Sequence, residues 1–197
     1  CSSDLQQAGL YARTVNGDAF SAQVKEQVIE IIRRDLGEID LIIYSLAAPR
    51  RILPDGTICN SVLKATGQDY ENITIDLKDN TLSRVTIAPA TEDEISQTIR
   101  VMGGEDWKDW IVALDKAGVL APKVTAVAYS YIGPELTHPI YLNGTIGMAK
   151  RHLYETAVAM TREFPQISAY VSVNKALVTQ ARDRKSTRLN SSHGIIS

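Results

Sequence analysis

The sequence predicts an α/β chain: a parallel, doubly wound sheet with helices between its strands, interrupted by a β-hairpin excursion over residues 49–90. Three observations carry this. Two short, continuous apolar runs, DLIIYSLA (40–47) and KVTAVAYSYIG (123–133), suit strands buried on both faces inside a parallel sheet. Segments with apolar residues at helical spacing lie between such runs. Helix, glycine and buried strand also follow one another directly over 18–47, which is one step of an alternating architecture.

Each element follows from its residues. The first helix begins after the turn Asn16-Gly17-Asp18, and Val24, Val28, Ile29, Ile31 and Ile32 give it an apolar face. Ser21 is its expected N-cap, with Asp18 as a rival, and Gly37 ends it. The first strand runs over 40–47. Between 49 and 90 the pattern turns to hairpins: Pro54-Asp55-Gly56 separates two strand-capable pieces, and Asp79-Asn80 separates ENITIDL from LSRVTIAPA. An insertion this long is expected to rim a site. Thr91 and Glu94 form a capping box, and Gly103-Gly104 divides one helix from the next. The run at 123–133 is the next strand. TIGMAKRHLYETAVAMTREF is a long helix with Ile146, Leu153, Ala157 and Met160 inward, and ISAYVSVNKALVTQ gives a strand followed by the start of a helix.

Composition sets the class. With 197 residues, 44% hydrophobic and 22% charged, the chain can bury a substantial core. A net charge of −2 offers no basic field for nucleic acid or an anionic membrane. No apolar run reaches the roughly 20 residues of a membrane-spanning helix. Two cysteines, Cys1 and Cys59, make no disulfide framework, so a reducing cytoplasm is expected. Cys59 has no neighbouring His or Cys, so no metal site is expected. The stretches 1–5 (CSSDL) and 183–193 (DRKSTRLNSSH) resemble translated sequencing-adaptor oligonucleotides. The ends 1–5 and 183–197 are therefore expected to be non-native, and 6–182 to be one incomplete domain of a longer protein.

The chemistry centres on Tyr141 and Lys150, nine positions apart. A tyrosine alone, with a pKa near 10, is a poor acid at neutral pH. A neighbouring ammonium lowers that pKa and eases proton delivery to a substrate oxygen. Nine residues at about 100° each leave the two half a turn out of phase on one ideal helix. For the two to cooperate, Tyr141 must precede the helix, with Asn143-Gly144 as turn and cap, while Lys150 falls on the second helical turn. On spacing alone, an interfacial tyrosine and a solvated lysine would be the commoner arrangement.

Context changes that balance. NGDAFS, YSLAAPRR, VMGGEDW, YSYIG, Tyr-x8-Lys and KALVTQ occur in this order between Gly9 and Ala181. Together they resemble the trans-2-enoyl-CoA reductase family, which includes the V-type bacterial enoyl-ACP reductases and is a divergent branch of the short-chain dehydrogenase/reductases. The shorter spacings of other branches, Tyr-x3-Lys and Tyr-x6-Lys, would land on Thr145 and Met148, and neither is basic.

The resemblance implies a Rossmann-like fold and NADH-dependent reduction of the C2–C3 double bond of trans-2-enoyl thioesters, carried on CoA or acyl carrier protein, in fatty acid synthesis. It implies Tyr141 as proton donor, Lys150 on the nicotinamide ribose and Tyr131 as a second tyrosine beside the substrate carbonyl. Arg151 stands where relatives often carry a second lysine. Asp18, Ala19 and Phe20 match the turn at the adenine ring, and Ser45, Leu46 and Ala47 the strand end along the cofactor. Leu177, Val178 and Thr179 match the region by the nicotinamide and diphosphate. NADPH stays open as a cofactor, because the family's glycine-rich loop and the acidic residue that sorts the two cofactors belong to a region upstream of these motifs. A bacterial, cytoplasmic protein, monomeric when full length, is implied, with this piece inactive by itself. A carbonyl-reducing dehydrogenase and a non-catalytic α/β fragment are the alternatives.

Other residues have plainer readings. Trp107 and Trp110, at i and i+3, suit helix packing over a substrate-facing patch. His138 reads as a rim residue and His152 as a helix-surface residue. Glu92, Asp93 and Glu94 read as a solvated helix start that complements the helix dipole.

Overall fold

The computed structural model describes residues 2–76, 79–131, 133 and 135–174. A short helix α1 (Ser2–Gln7) leads through extended chain to α2 (Ala22–Asp35). Ser21 caps α2, its hydroxyl accepting the Val24 N–H at 3.2 Å. Gly37, at φ +80°, supplies the left-handed residue just past the helix end. Asp18 shapes the preceding turn instead of capping: its carboxylate accepts the Phe20 N–H at 3.0 Å and its carbonyl accepts the Ser21 hydroxyl at 2.7 Å.

Strand β1 (Ile39–Tyr44) follows, then β2 (Arg50–Ile52), β3 (Ile58–Asn60), β4 (Tyr70–Asp76) and β5 (Thr81–Ile87). The excursion is thus two antiparallel ribbons, β2-β3 and β4-β5, each separate from the main sheet. Their turns fall as the sequence predicts, with Gly56 at φ +85° and Asn80 at φ +56°. Helix α3 (Glu92–Met102) carries the full Thr91/Glu94 capping box. After it come α4 (Glu105–Lys116), β6 (Leu120–Ser130), a 3-10 turn (Glu135–Thr137), α5 (Thr145–Glu163) and β7 (Ile167–Val173).

The main sheet has the order β1-β6-β7 and is parallel throughout, so α5 is the crossover of a βαβ unit. One face of this Rossmann-like sheet is the core. Val124, Ala126, Ala128 and Ile167 meet Trp107 and Ile111 of α4 and Leu153, Ala157 and Met160 of α5, while Ile32 of α2 joins Leu114 and Val119 in an adjoining cluster. Trp107 is fully buried and Trp110 is half-buried against that adjoining cluster, so both serve packing.

The first strand departs from expectation. It ends at Tyr44 and not at Ala47, and only one of its faces is buried: Leu41 is 53% and Ile43 is 52% exposed. On the same face, Tyr129 and Tyr170 of the neighbouring strands are also exposed. Among the described residues the helices cover the opposite face, which is why an apolar run suited to double burial has one open side.

His152 is not a free surface residue. Its Nδ1 accepts the Gly104 N–H at 3.0 Å, tying α5 to the turn between α3 and α4. The approach there leaves no room for a side chain: a Cβ on Gly104 would lie 2.2 Å from Thr156 Oγ1 and 2.3 Å from Thr156 Cβ. Gly104→Ala is therefore expected to lower the unfolding free energy by ~2 kcal/mol or more, through overpacking alone. Urea unfolding measures this, and a loss below about 0.5 kcal/mol, the size of an ordinary surface change, would contradict the close approach.

Candidate active site

Parallel pairing sends the carboxyl ends of β1 and β6 to one edge of the sheet, the edge at which open α/β sheets bind ligands. From β1 the chain continues into Ser45, Leu46 and Ala47, which lie beyond the strand with their surfaces exposed. From β6 it continues into Tyr131, which is half-buried. The Tyr131 ring meets the Tyr141 ring edge-on, with centroids 5.6 Å apart and planes at 75°. The two tyrosines singled out in the sequence are thus neighbours.

Tyr141 lies ahead of α5, as the spacing argument requires. Gly144 is the N-cap but offers no side chain, and Asn143 does not replace it. The cap is made by the tyrosine's own backbone: the Tyr141 carbonyl accepts the Gly147 N–H at 2.9 Å and the Gly144 N–H at 3.4 Å. The Tyr141 N–H in turn donates to the Thr137 carbonyl at 2.8 Å. The helix start is also pinned to the chain between the two hairpins. The Thr145 N–H donates to the Lys64 carbonyl at 3.0 Å, the buried Thr145 hydroxyl donates to the Val62 carbonyl, and Ala65 bridges to Gly144.

Lys150 sits in the second turn of α5 and is half-buried. Burial holds its ammonium pKa below the ordinary lysine value. Arg151 beside it is exposed. His138 is half-buried at the loop leading to Tyr141, and its carbonyl accepts the Asn143 N–H at 2.8 Å.

The turn of Asp18, Ala19 and Phe20 is joined to the same edge through a buried charge cluster. The Lys25 ammonium donates to the Phe20 carbonyl at 3.0 Å and to the Asp106 carboxylate at 2.6 Å. The Tyr44 hydroxyl, at the end of β1, donates to the other Asp106 oxygen at 3.1 Å. The Arg51 guanidinium lies 3.9 Å from Asp106, bonds Glu105 at 3.2 Å and Asp109 at 3.0 Å, and packs 5.7 Å from the Phe20 ring centroid. Burial pushes the Asp106 pKa up, against the pull of Lys25, Arg51 and the Tyr44 hydroxyl. Burial and the Asp106 charge push the Tyr44 phenol up as well, so Tyr44 stays a neutral donor.

This cluster was not anticipated from the sequence. One signal existed: Lys25 shares the apolar face of α2 with Ile29 and Ile32, an unusual place for an ammonium without a partner. Asp106 gave no sign of burial, since an acidic residue in a helix's first turn normally faces solvent. Leu177, Val178 and Thr179 lie outside the described residues. Among the described residues no group of three His, Cys, Asp or Glu side chains could hold a metal ion, and no helix is long and apolar enough to cross a membrane.

Comparison with known proteins identifies the family. The profile of the family described as the trans-2-enoyl-CoA reductase catalytic region matches residues 2–184. The NADH enoyl-[acyl-carrier-protein] reductase of Opitutus terrae is 55% identical over 177 residues, covering 88% of this chain and 45% of the relative. The NADH trans-2-enoyl-CoA reductase of Ruminiclostridium cellulolyticum is 50% identical over 179 residues, covering 89% and 45%. The crystal structure of Treponema denticola trans-2-enoyl-CoA reductase in complex with NAD superposes with a TM-score of 0.83 at 47% identity, covering 91% of this chain and 45% of that one. The chain therefore spans less than half the length of the curated relatives it matches. On the strength of the profile and these identities, the chain belongs to the trans-2-enoyl-CoA reductase family.

Proposed function

We propose that the protein carrying this chain reduces the C2–C3 double bond of trans-2-enoyl thioesters with NADH, and that this segment supplies the tyrosine–lysine part of its active site. One observation carries the reading. Tyr141 is fastened by its backbone to the start of the helix that holds a desolvated Lys150, and its ring abuts Tyr131 at the carboxyl edge of the sheet. The exposed backbone of Ser45, Leu46 and Ala47 and the turn of Asp18, Ala19 and Phe20, held to one edge through Tyr44 and Lys25, suit an extended dinucleotide. Leu177, Val178 and Thr179 would complete the nicotinamide and diphosphate side. The relatives' names and bound ligands favour NADH; NADPH is the alternative donor.

Bound NADH supplies the hydride that adds to C3 of the enoyl group. The residues of this chain handle the opposite charge. The Tyr141 phenol donates to the thioester carbonyl oxygen as the C2–C3 electrons move onto it, stabilising the enolate, with Tyr131 as a second donor. Protonation at C2 then gives the saturated thioester. The Lys150 ammonium would hold the nicotinamide ribose, and a cation brought near the phenol would favour its ionised form, making Tyr141 a better acid. Both CoA and acyl-carrier-protein thioesters appear in the relatives' names, and the reaction centre treats them alike. The family resemblance supports a bacterial cytoplasmic protein, monomeric when full length.

Tyr141→Phe in the full-length protein is expected to cut crotonyl-CoA turnover with NADH by ~100-fold or more. Unchanged turnover would leave Tyr141 without a catalytic role, and faster reduction of acetoacetyl-CoA than crotonyl-CoA would move the assignment to carbonyl reduction. The 197-residue chain by itself is expected to show no turnover in the same assay. Lys150→Met should separate stability from activity. Because the folded-state pKa of Lys150 is below its ordinary 10.5, the buried charge costs stability at neutral pH, and stability rises as pH climbs from the folded pKa toward 10.5. The methionine variant should lose that rise and gain about 1 kcal/mol at pH 7, while turnover collapses. Chemical unfolding across pH 7–10.5 checks it; a less stable variant would mean the ammonium has a compensating partner.

A further inference from the structure

We infer that Gly147 is a positioning residue for the reaction, setting where Tyr141 stands relative to Lys150 by letting the loop 141–144 fold back onto the first turn of α5. The inference rests on the reading of Tyr141 as proton donor, and concerns how that donor is held.

The spacing poses a geometric problem. Nine residues on one helix would leave phenol and ammonium on opposite sides. Here Tyr141 lies ahead of the helix, and its carbonyl folds back onto the first turn of α5. A helix start leaves its first N–H groups without intrahelical partners, and this one lacks a capping side chain. The Gly147 N–H, in the first turn, is satisfied by the Tyr141 carbonyl at 2.9 Å. The same bond that caps the helix therefore fixes the tyrosine. Lys150 lies one turn further along that helix, so the two groups share a single rigid frame.

The fold-back requires a residue without a side chain. A Cβ on Gly147 would lie 1.7 Å from the Leu142 carbonyl oxygen, 2.5 Å from its carbonyl carbon and 3.1 Å from the Tyr141 oxygen. All three are backbone atoms of the loop itself, so no side-chain rotation relieves the overlap. Gly147 is not among the residues with positive φ, and alanine would fit its backbone conformation. Space alone excludes a side chain. Any other residue would lift the loop from the helix and carry Tyr141 with it, while Lys150 stays in its turn.

The test uses the full-length protein, with crotonyl-CoA and NADH as substrates and three variants: Tyr141→Phe, Gly147→Ala, and a single glycine inserted between Leu142 and Asn143. A displacement on the scale of 1 Å costs about 100-fold in rate. Gly147→Ala and the insertion should each lower kcat by about that factor, with NADH affinity changed no more than about threefold, because the ribose-binding lysine has not moved. A purely structural lesion would lower the amount of active protein without moving the pH profile. Displacement of the phenol from the ammonium should shift the alkaline limb of kcat upward. Wild-type kcat in either variant, or an unshifted limb with reduced kcat, overturns the inference. If Gly147→Ala yields no folded protein, the insertion decides, since it leaves Gly147 and the helix intact. Unchanged turnover in Tyr141→Phe instead overturns the catalytic reading, so the two failures are distinguishable.

Discussion

The contact on which this architecture turns is the buried ion pair between Lys25 and Asp106, 2.6 Å apart and largely out of water. Placing two charges there is costly, and the pair contributes little net stability compared with a well-packed apolar replacement. Its effect is arrangement. Asp106 has partners from three segments: Lys25 from α2, Tyr44 from the end of β1, and Arg51 from the first ribbon. Lys25 also holds the Phe20 carbonyl. Removing any of these partners strands the others in a low-dielectric site, so the turn at residues 18–20, the end of β1 and the first ribbon must adopt one relation together. The turn at residues 18–20, the end of β1 and the first ribbon are thereby referred to the start of α4, not to each other.

The part of the edge around α5 is built from a different material. Around α5 the decisive contacts are made by backbone groups to other backbone groups, to a hydroxyl or to an imidazole, and close approach at glycine makes several of them possible. Gly104 lets α5 and the α3–α4 turn approach until the Gly104 N–H reaches His152. Thr145, fully buried, links the helix start to the chain between the ribbons. The chain between the ribbons therefore anchors the start of the helix that carries Lys150. Charge fixes one half of the edge and close packing the other. The two meet through α4, whose Trp107 packs in the same core as Leu153 and Met160 of α5.

The sheet itself shows the same economy of means. Small residues, Ala126 and Ala128, line its covered face and pack in one buried cluster with Trp107. The opposite face keeps Leu41, Ile43, Tyr129 and Tyr170 exposed. An apolar face of that kind belongs to strands suited to burial on both sides. It explains why the runs at 40–47 and 123–133 are so evenly apolar, although half of their side chains lack cover within the described residues.

Much was legible in local chemistry. Ser21, the Thr91/Glu94 box, Gly37, Gly56 and Asn80 act within a few residues of themselves, so sequence suffices to place them. The position of Tyr141 ahead of a helix followed from angular phase once Tyr141 and Lys150 are required to cooperate, with Asn143-Gly144 as the turn. Residues paired across long separations were not legible: Lys25 with Asp106, Gly104 with His152, Thr145 with Val62. Nor was the use of the Tyr141 carbonyl as a helix cap, because a backbone atom leaves no mark in the residue string. The sequence by itself determined which segments become helix, strand and turn, since those choices depend on neighbours along the chain. Only the tertiary structure decided which polar groups are buried together and where a side chain has no room, because both depend on distances that close only when the chain packs.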